Sequence, residues 1–144
     1  MALYLDTSCL LKAFFPEPET ARTLALIAAE PRVVVSSLAR LEAISQMHAR
    51  VAGGLLSATR ARRLVQELET TLGLAPYDLV RCPADVIDVA VTQITPLAKA
   101  AYCRTLDRLH LATMEALNLR RLLTNDGTQA NAARALGYEV LLPT

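Results

Sequence analysis

Short apolar runs recur along this chain, and each is separated from the next by a stretch with helical spacing. Ala2–Leu5, Arg32–Val35, Leu79–Arg81, Arg121–Thr124 and Tyr138–Leu141 read as strands. Helical spacing runs through Leu10, Leu11 and Phe14 until Pro16 and Pro18 interrupt it, and a second helix covers Glu19–Ala29. Ser36 or Ser37 can cap the next helix, which Gly53-Gly54 ends, and Ser57–Leu72 follows with Gly73 just past its end. Ala84–Ile94, Thr105–Leu117 and Thr128–Leu136 are the remaining helical segments. Strands this far apart cannot pair as hairpins. They call for right-handed crossovers and a mostly parallel sheet with helices on both faces, an α/β fold. In such sheets the ligand crevice lies beyond the carboxyl ends of the strands. With 144 residues and no repeat or linker, the chain is expected to form a single domain over residues 1–144.

Composition excludes several classes. Apolar residues make up 53% of the chain, but no run approaches the roughly 20 residues of a membrane span. The opening MALYLDTS has no basic region and soon meets Asp6, so no signal peptide is expected. Cys9, Cys82 and Cys103 are odd in number and far apart, which suggests neither a disulfide framework nor a zinc site. A reducing, cytoplasmic location fits. A formal net charge of +1 excludes a strongly basic coat for nucleic acid, and 4% aromatic residues exclude a platform for stacked bases. The apolar excess is either a partner surface or a well-filled core.

Four carboxylates stand out, each with a plain structural alternative. Asp6, in LYLDTS, directly follows a strand and could simply cap a helix. Glu42 falls on the stripe of Leu38, Leu41, Ser45, His48 and Ala49, which reads as buried. A carboxylate there needs a metal or an ion pair, such as Arg108, unless it lies at a wet edge. Asp107 sits in the first turn of its helix, where a negative charge complements the helix dipole. His110, three residues on, shares that face and reads as a hydrogen-bonded core residue. Asp126, in LLTNDGT, follows a strand and could cap the next helix. The fold brings strand ends and helix starts together, so the four acids are expected in one crevice. Carboxylates that close raise one another's pKa unless a cation neutralises them. An all-oxygen site suits Mg²⁺ or Mn²⁺, and such an ion serves phosphodiester hydrolysis.

LYLDTSCLLKAFFPEPE, SSLARLEA, TLDRLHLATMEAL and LLTNDGTQANAARALGYEV resemble, in order and spacing, the PIN-domain ribonucleases. The resemblance runs almost end to end and is nearest to VapC-type toxins of prokaryotic toxin–antitoxin pairs. It implies a Rossmann-like, three-layer α/β/α fold and a Mg²⁺- or Mn²⁺-dependent endoribonuclease, the toxin of a type II pair. The family's acids match Asp6, Glu42, Asp107 and Asp126, with Asp6 and Asp107 as principal metal ligands. Its supporting hydroxyls match Thr124 and either Thr7 or Ser8. The implied partners are an RNA substrate, a small inhibitory antitoxin near the segment Leu10–Pro18, and a second copy in a homodimer. Cys9 and Gly127 depart from the family's usual residues but touch no acidic position.

Other readings remain. A dehalogenase-type phosphatase would carry an acid two positions after Asp6, where this chain has Ser8. A receiver domain needs an acid pair and a placed lysine, and Lys12 and Lys99 are the only lysines. A PIN-like binding module without catalysis would not need all four acids.

Overall fold

The computed structural model describes residues 1–94 and 101–144. These run β1 (Leu3–Leu5), α1 (Thr7–Lys12), α2 (Thr20–Ala28), β2 (Val33–Ser36), α3 (Ser37–Ala52), α4 (Ala58–Leu72) and β3 (Tyr77–Val80). Then come α5 (Val86–Ile94), α6 (Thr105–Ala116), β4 (Arg121–Leu123), α7 (Gly127–Ala135) and β5 (Glu139–Leu141). The sheet has the order β3-β2-β1-β4-β5, and every pairing is parallel. β1 is therefore central. The chain builds outward from it first through β2 and β3, then on the other side through β4 and β5. That reversal opens a crevice between the carboxyl ends of β1 and β4.

The two-residue period of the strands sorts the core. Leu3, Leu5, Val33, Val35 and Leu123 face one side and pack with Leu10 of α1, Ala39, Ala43 and Met47 of α3, and Leu64, Leu68 and Leu72 of α4. Tyr4, Val34 and Leu122 face the other, against Leu111 and Met114 of α6 and Ala132 and Ala133 of α7. Both faces are covered, which is why the strands read as unbroken apolar runs. In α4 the leucines recur every four residues, and full burial of each contributes about 1.5–3 kcal/mol.

The helix ends follow their sequence signals. Ser36 Oγ accepts from the Ala39 N–H at 3.1 Å and Ser57 Oγ from the Arg60 N–H at 3.0 Å. Gly53 caps the end of α3, and Gly54 follows with φ of +75°, a conformation that glycine reaches without steric cost.

The buried face of α3 differs from the expected stripe. Ala39, Ala43 and Met47 are fully buried, whereas Leu41 is 61% exposed and Ser45, His48 and Ala49 also face outward. α3 turns its small side chains inward because they let it lie close to the sheet and α1. A rule that follows bulky apolar residues picks the wrong side. Glu42 consequently sits at the edge of the buried face.

Candidate functional site

The Asp6 N–H donates to the Leu123 carbonyl at 3.0 Å, which carries the β1–β4 pairing into the residues after each strand. Asp6 and Thr124 are thereby neighbours. The Thr124 hydroxyl donates to Asp6 Oδ2 at 2.9 Å, and the Ser8 hydroxyl donates to the same oxygen at 2.7 Å. Ser8 Oγ also accepts from the Asn125 N–H at 3.1 Å, tying the two strand-to-helix turns together. Asp6 caps α1 through the Ser8 N–H at 3.4 Å, and Asp126 caps α7 by accepting from the Thr128 and Gln129 N–H groups at 2.9 and 3.1 Å. The capping and site readings are compatible, because capping uses Oδ2 of Asp6 and Oδ1 of Asp126. Each acid keeps its second oxygen for other work.

Glu42 reaches the crevice from α3. Its Oε1 accepts from the Thr7 hydroxyl at 2.9 Å and pairs closely with His110 Nε2. The same ring nitrogen lies 3.7 Å from Asp6 Oδ1. His110 Nδ1 lies 2.6 Å from the Tyr4 hydroxyl, which in turn lies 2.9 Å from Ser36 Oγ. The partner of Glu42 is thus this histidine rather than Arg108, whose Nη2 donates to the Ala101 carbonyl at 2.6 Å.

Asp107, in the first turn of α6, is half-buried, and Arg104 Nε lies 3.6 Å from its Oδ2. Its backbone carbonyl accepts from the Gln129 amide at 3.4 Å, which joins α6 to α7. Burial, together with the charges of Asp126 and Asp6, pushes the Asp107 carboxyl above the usual carboxylate range. Glu42 goes the other way. Burial pushes it up, but the hydrogen bond and charge of His110 and the bond from Thr7 outweigh this and hold it below that range. The expectation that all the acids raise one another therefore fails at Glu42, where a cation-capable ring and a hydroxyl supply the compensation.

Among the described residues no three His, Cys, Asp or Glu side chains converge tightly enough to hold a metal by themselves. Mg²⁺ does not require this, since it commonly takes one or two carboxylates and keeps several waters. Burial and then the charges of Asp126 and Asp6 push the Asp107 carboxyl up, and a cation among the three acids would offset the part due to charge. The donor set fits a hard divalent ion.

His110 is the hydrogen-bonded core residue expected from the sequence, and the structure sets it, with Tyr4, against Glu42. A signal was present at Tyr4. It is a polar ring between Leu3 and Leu5, aimed by strand alternation at the face that α6 covers, and a buried phenol there needs a partner. A cavity of about 570 Å³ between α5 and α6 is lined by Ile87, Ile94, Tyr102 and Arg108, and among the described residues no carboxylate lines it.

The PIN domain family model matches residues 3–135. Ribonuclease VapC46 of Mycobacterium tuberculosis is 34% identical over 145 residues, covering 99% of this chain and 98% of that protein. The crystal structure of FitAcB from Neisseria gonorrhoeae aligns with a TM-score of 0.76 at 20% identity, covering 98% of this chain and 97% of that one. VapBC2 from Rickettsia felis, bound to a DNA fragment from their promoter, aligns with a TM-score of 0.71 at 17% identity, covering 99% and 98%.

Proposed function

The chain belongs to the PIN-domain family, and from that premise we propose that it is a Mg²⁺- or Mn²⁺-dependent endoribonuclease, the toxin of a toxin–antitoxin pair. The observation that carries the reading is that Thr124 donates to Asp6 Oδ2 at 2.9 Å and accepts from the Asp126 N–H at 3.1 Å, which holds two of the acids at the mouth of the β1–β4 crevice. A ribonuclease relative along the whole chain supports RNA as the substrate.

Asp6, Asp107 and Asp126 would hold the ion, with Glu42 beside them. Bound there, Mg²⁺ or Mn²⁺ would neutralise charge on the scissile phosphate and acidify water. The chain's own residues do the rest. Thr124 and Ser8 fix the Asp6 carboxylate through Oδ2, so its free oxygen has one direction. Glu42 Oε2, left over from the Thr7 and His110 bonds, accepts a hydrogen bond from the attacking water and orients it in line. Arg104, 79% exposed beside Asp107, would meet an RNA phosphate.

Ala13, Phe14 and Leu24 line a groove between α1, α2 and α4, on the segment where an antitoxin is expected. On α5, Ile87 and Ile94 are 59% and 56% exposed, which suits the homodimer. Among the described residues no helix is long and apolar enough to cross a membrane. Action on cytoplasmic RNA is consistent with that.

The test is cleavage of structured RNA by the purified protein with Mg²⁺ or Mn²⁺, beside a sample in excess EDTA. Cleavage only with metal supports the reading, and undiminished cleavage in EDTA removes the metal from it. Growth arrest on expression should be relieved by co-expressing a small protein encoded next to the gene. A folded protein that binds metal and RNA yet cuts nothing would instead be the silent binding module.

A further inference from the structure

We propose that His110 is a positioning residue which, braced by Tyr4, grips Glu42 by one oxygen and leaves only Oε2 to face the substrate water. The water and its substrate rest on the ribonuclease reading; the grip on Glu42 does not.

His110 is fully buried, and both of its ring nitrogens are committed. Nδ1 meets the Tyr4 hydroxyl at 2.6 Å, and the two rings meet edge to face with centroids 5.7 Å apart. Tyr4 reaches Ser36 Oγ at 2.9 Å, and Ser36 is the cap of α3. Glu42 lies in the second turn of the same helix. The series Ser36, Tyr4, His110, Glu42 therefore leaves α3 at its start and returns to it, passing through the central strand and α6.

Counting protons fixes the ring. The phenol has one hydrogen and two neighbours. If it donates to Ser36, Nδ1 must carry a hydrogen to meet the phenol oxygen. The Thr7 hydroxyl also lies 3.3 Å from Nε2 but gives its one hydrogen to Glu42 Oε1 at 2.9 Å, so a bare Nε2 would set its lone pair against the carboxylate, and Nε2 carries a hydrogen here too. If the phenol donates to Nδ1, the neutral ring holds its hydrogen at Nε2. Both arrangements put N–H at Nε2, donating to Glu42 Oε1. With the Thr7 hydroxyl donating to that oxygen as well, Oε1 is filled and Oε2 is not. A ring held at both nitrogens cannot turn without giving up a buried bond, so it sets the direction in which Oε2 points.

Long-range ¹H–¹⁵N spectra of the metal-free wild type read the tautomer directly. His48 is the only other histidine and is exposed, so the two signals separate. A slowly exchanging N–H at His110 Nε2 is expected, shifting in both Glu42→Gln and Tyr4→Phe. An Nε2 without hydrogen overturns the proposal. In the cleavage assay, His110→Ala should lower kcat about 10–100-fold with KM within about twofold. His110→Gln, whose terminal amide can place an N–H where Nε2 donates, should recover most of that loss. No loss in folded His110→Ala, or equal losses in the two folded variants, overturns it. Should His110→Ala not fold, the spectra and a wild-type-like or inactive His110→Gln still decide. Absence of any cleavage by the wild type would defeat the ribonuclease reading alone, because the spectra judge the grip on Glu42 without activity.

Discussion

The Thr124 hydroxyl donates to Asp6 Oδ2 at 2.9 Å, joining residues 118 positions apart at the ends of two adjacent parallel strands. Its oxygen also accepts from the Asp126 N–H at 3.1 Å, so one buried side chain touches two of the four acids. Thr124→Val keeps the shape and removes the hydroxyl. It should cost about 1–3 kcal/mol, because the Asp6 carboxylate and the Gln129 Oε1, which share the hydroxyl's one hydrogen at 2.9 Å each, and the Asp126 N–H all lose a partner. Urea unfolding measures this. A metal-free stability equal to wild type would show that Ser8 alone suffices to hold Asp6.

The revised orientation of α3 makes a second, opposed pair of predictions. Leu41→Lys should change stability by less than about 0.5 kcal/mol, since Leu41 is 61% exposed. Ala43→Leu should cost about 1–3 kcal/mol, because it forces a larger side chain between α3 and the sheet where Ala43 is fully buried. The reverse ranking would restore the stripe through Leu38 and Leu41.

Sequence order and spacing carried the architecture because both faces of a parallel sheet are buried and its strands announce themselves as apolar runs. Asp6 and Asp126 were read by the same logic, Asp6 directly after β1 and Asp126 three residues past β4, the two strands that adjoin the switch in strand order. Glu42 was singled out for a reason that did not hold. Its helix buries alanines, and periodicity weights size rather than closeness of approach. His110 could be seen as a core residue, but its bonds to Tyr4 and Glu42 cross 106 and 68 residues, and no local pattern encodes such pairings. The opposite pKa directions of Asp107 and Glu42 depend on those same distant contacts.

The two directions predict opposite pH effects in the metal-free protein. The folded pKa of Asp107 is raised, so its stabilising contribution is complete below the unfolded value near 4 and is lost as pH rises through the folded one. Glu42 has a lowered folded pKa, so its contribution is present above the unfolded value near 4.3 and is lost as pH falls through the folded one. Urea midpoints measured across acid pH should therefore lose their decline toward neutrality in Asp107→Asn and their acid-side fall in Glu42→Gln. If both variants flatten the same limb, one of the directions is wrong.

Asp6→Asn separates the cap from the metal ligand. Asn caps helices about as well as Asp, so the metal-free change in stability should be roughly 0.5 kcal/mol or less. The Ser8 and Thr124 hydroxyls still find an amide oxygen where Oδ2 stood, and one of the charges that pushes Asp107 up is gone. Metal response is where the variant should differ. Mg²⁺ or Mn²⁺ stabilises the folded wild type by mass action, and the midpoint should rise with ion concentration. The variant keeps the fold but loses a negative ligand, so its midpoint should rise much less over the same range, and cleavage should nearly vanish. Thermal melts of both proteins across a Mn²⁺ series, beside one cleavage assay, give the comparison. An active variant whose midpoint climbs with Mn²⁺ as steeply as the wild type would leave Asp6 as the cap of α1 and shift the ion toward Asp107 and Asp126.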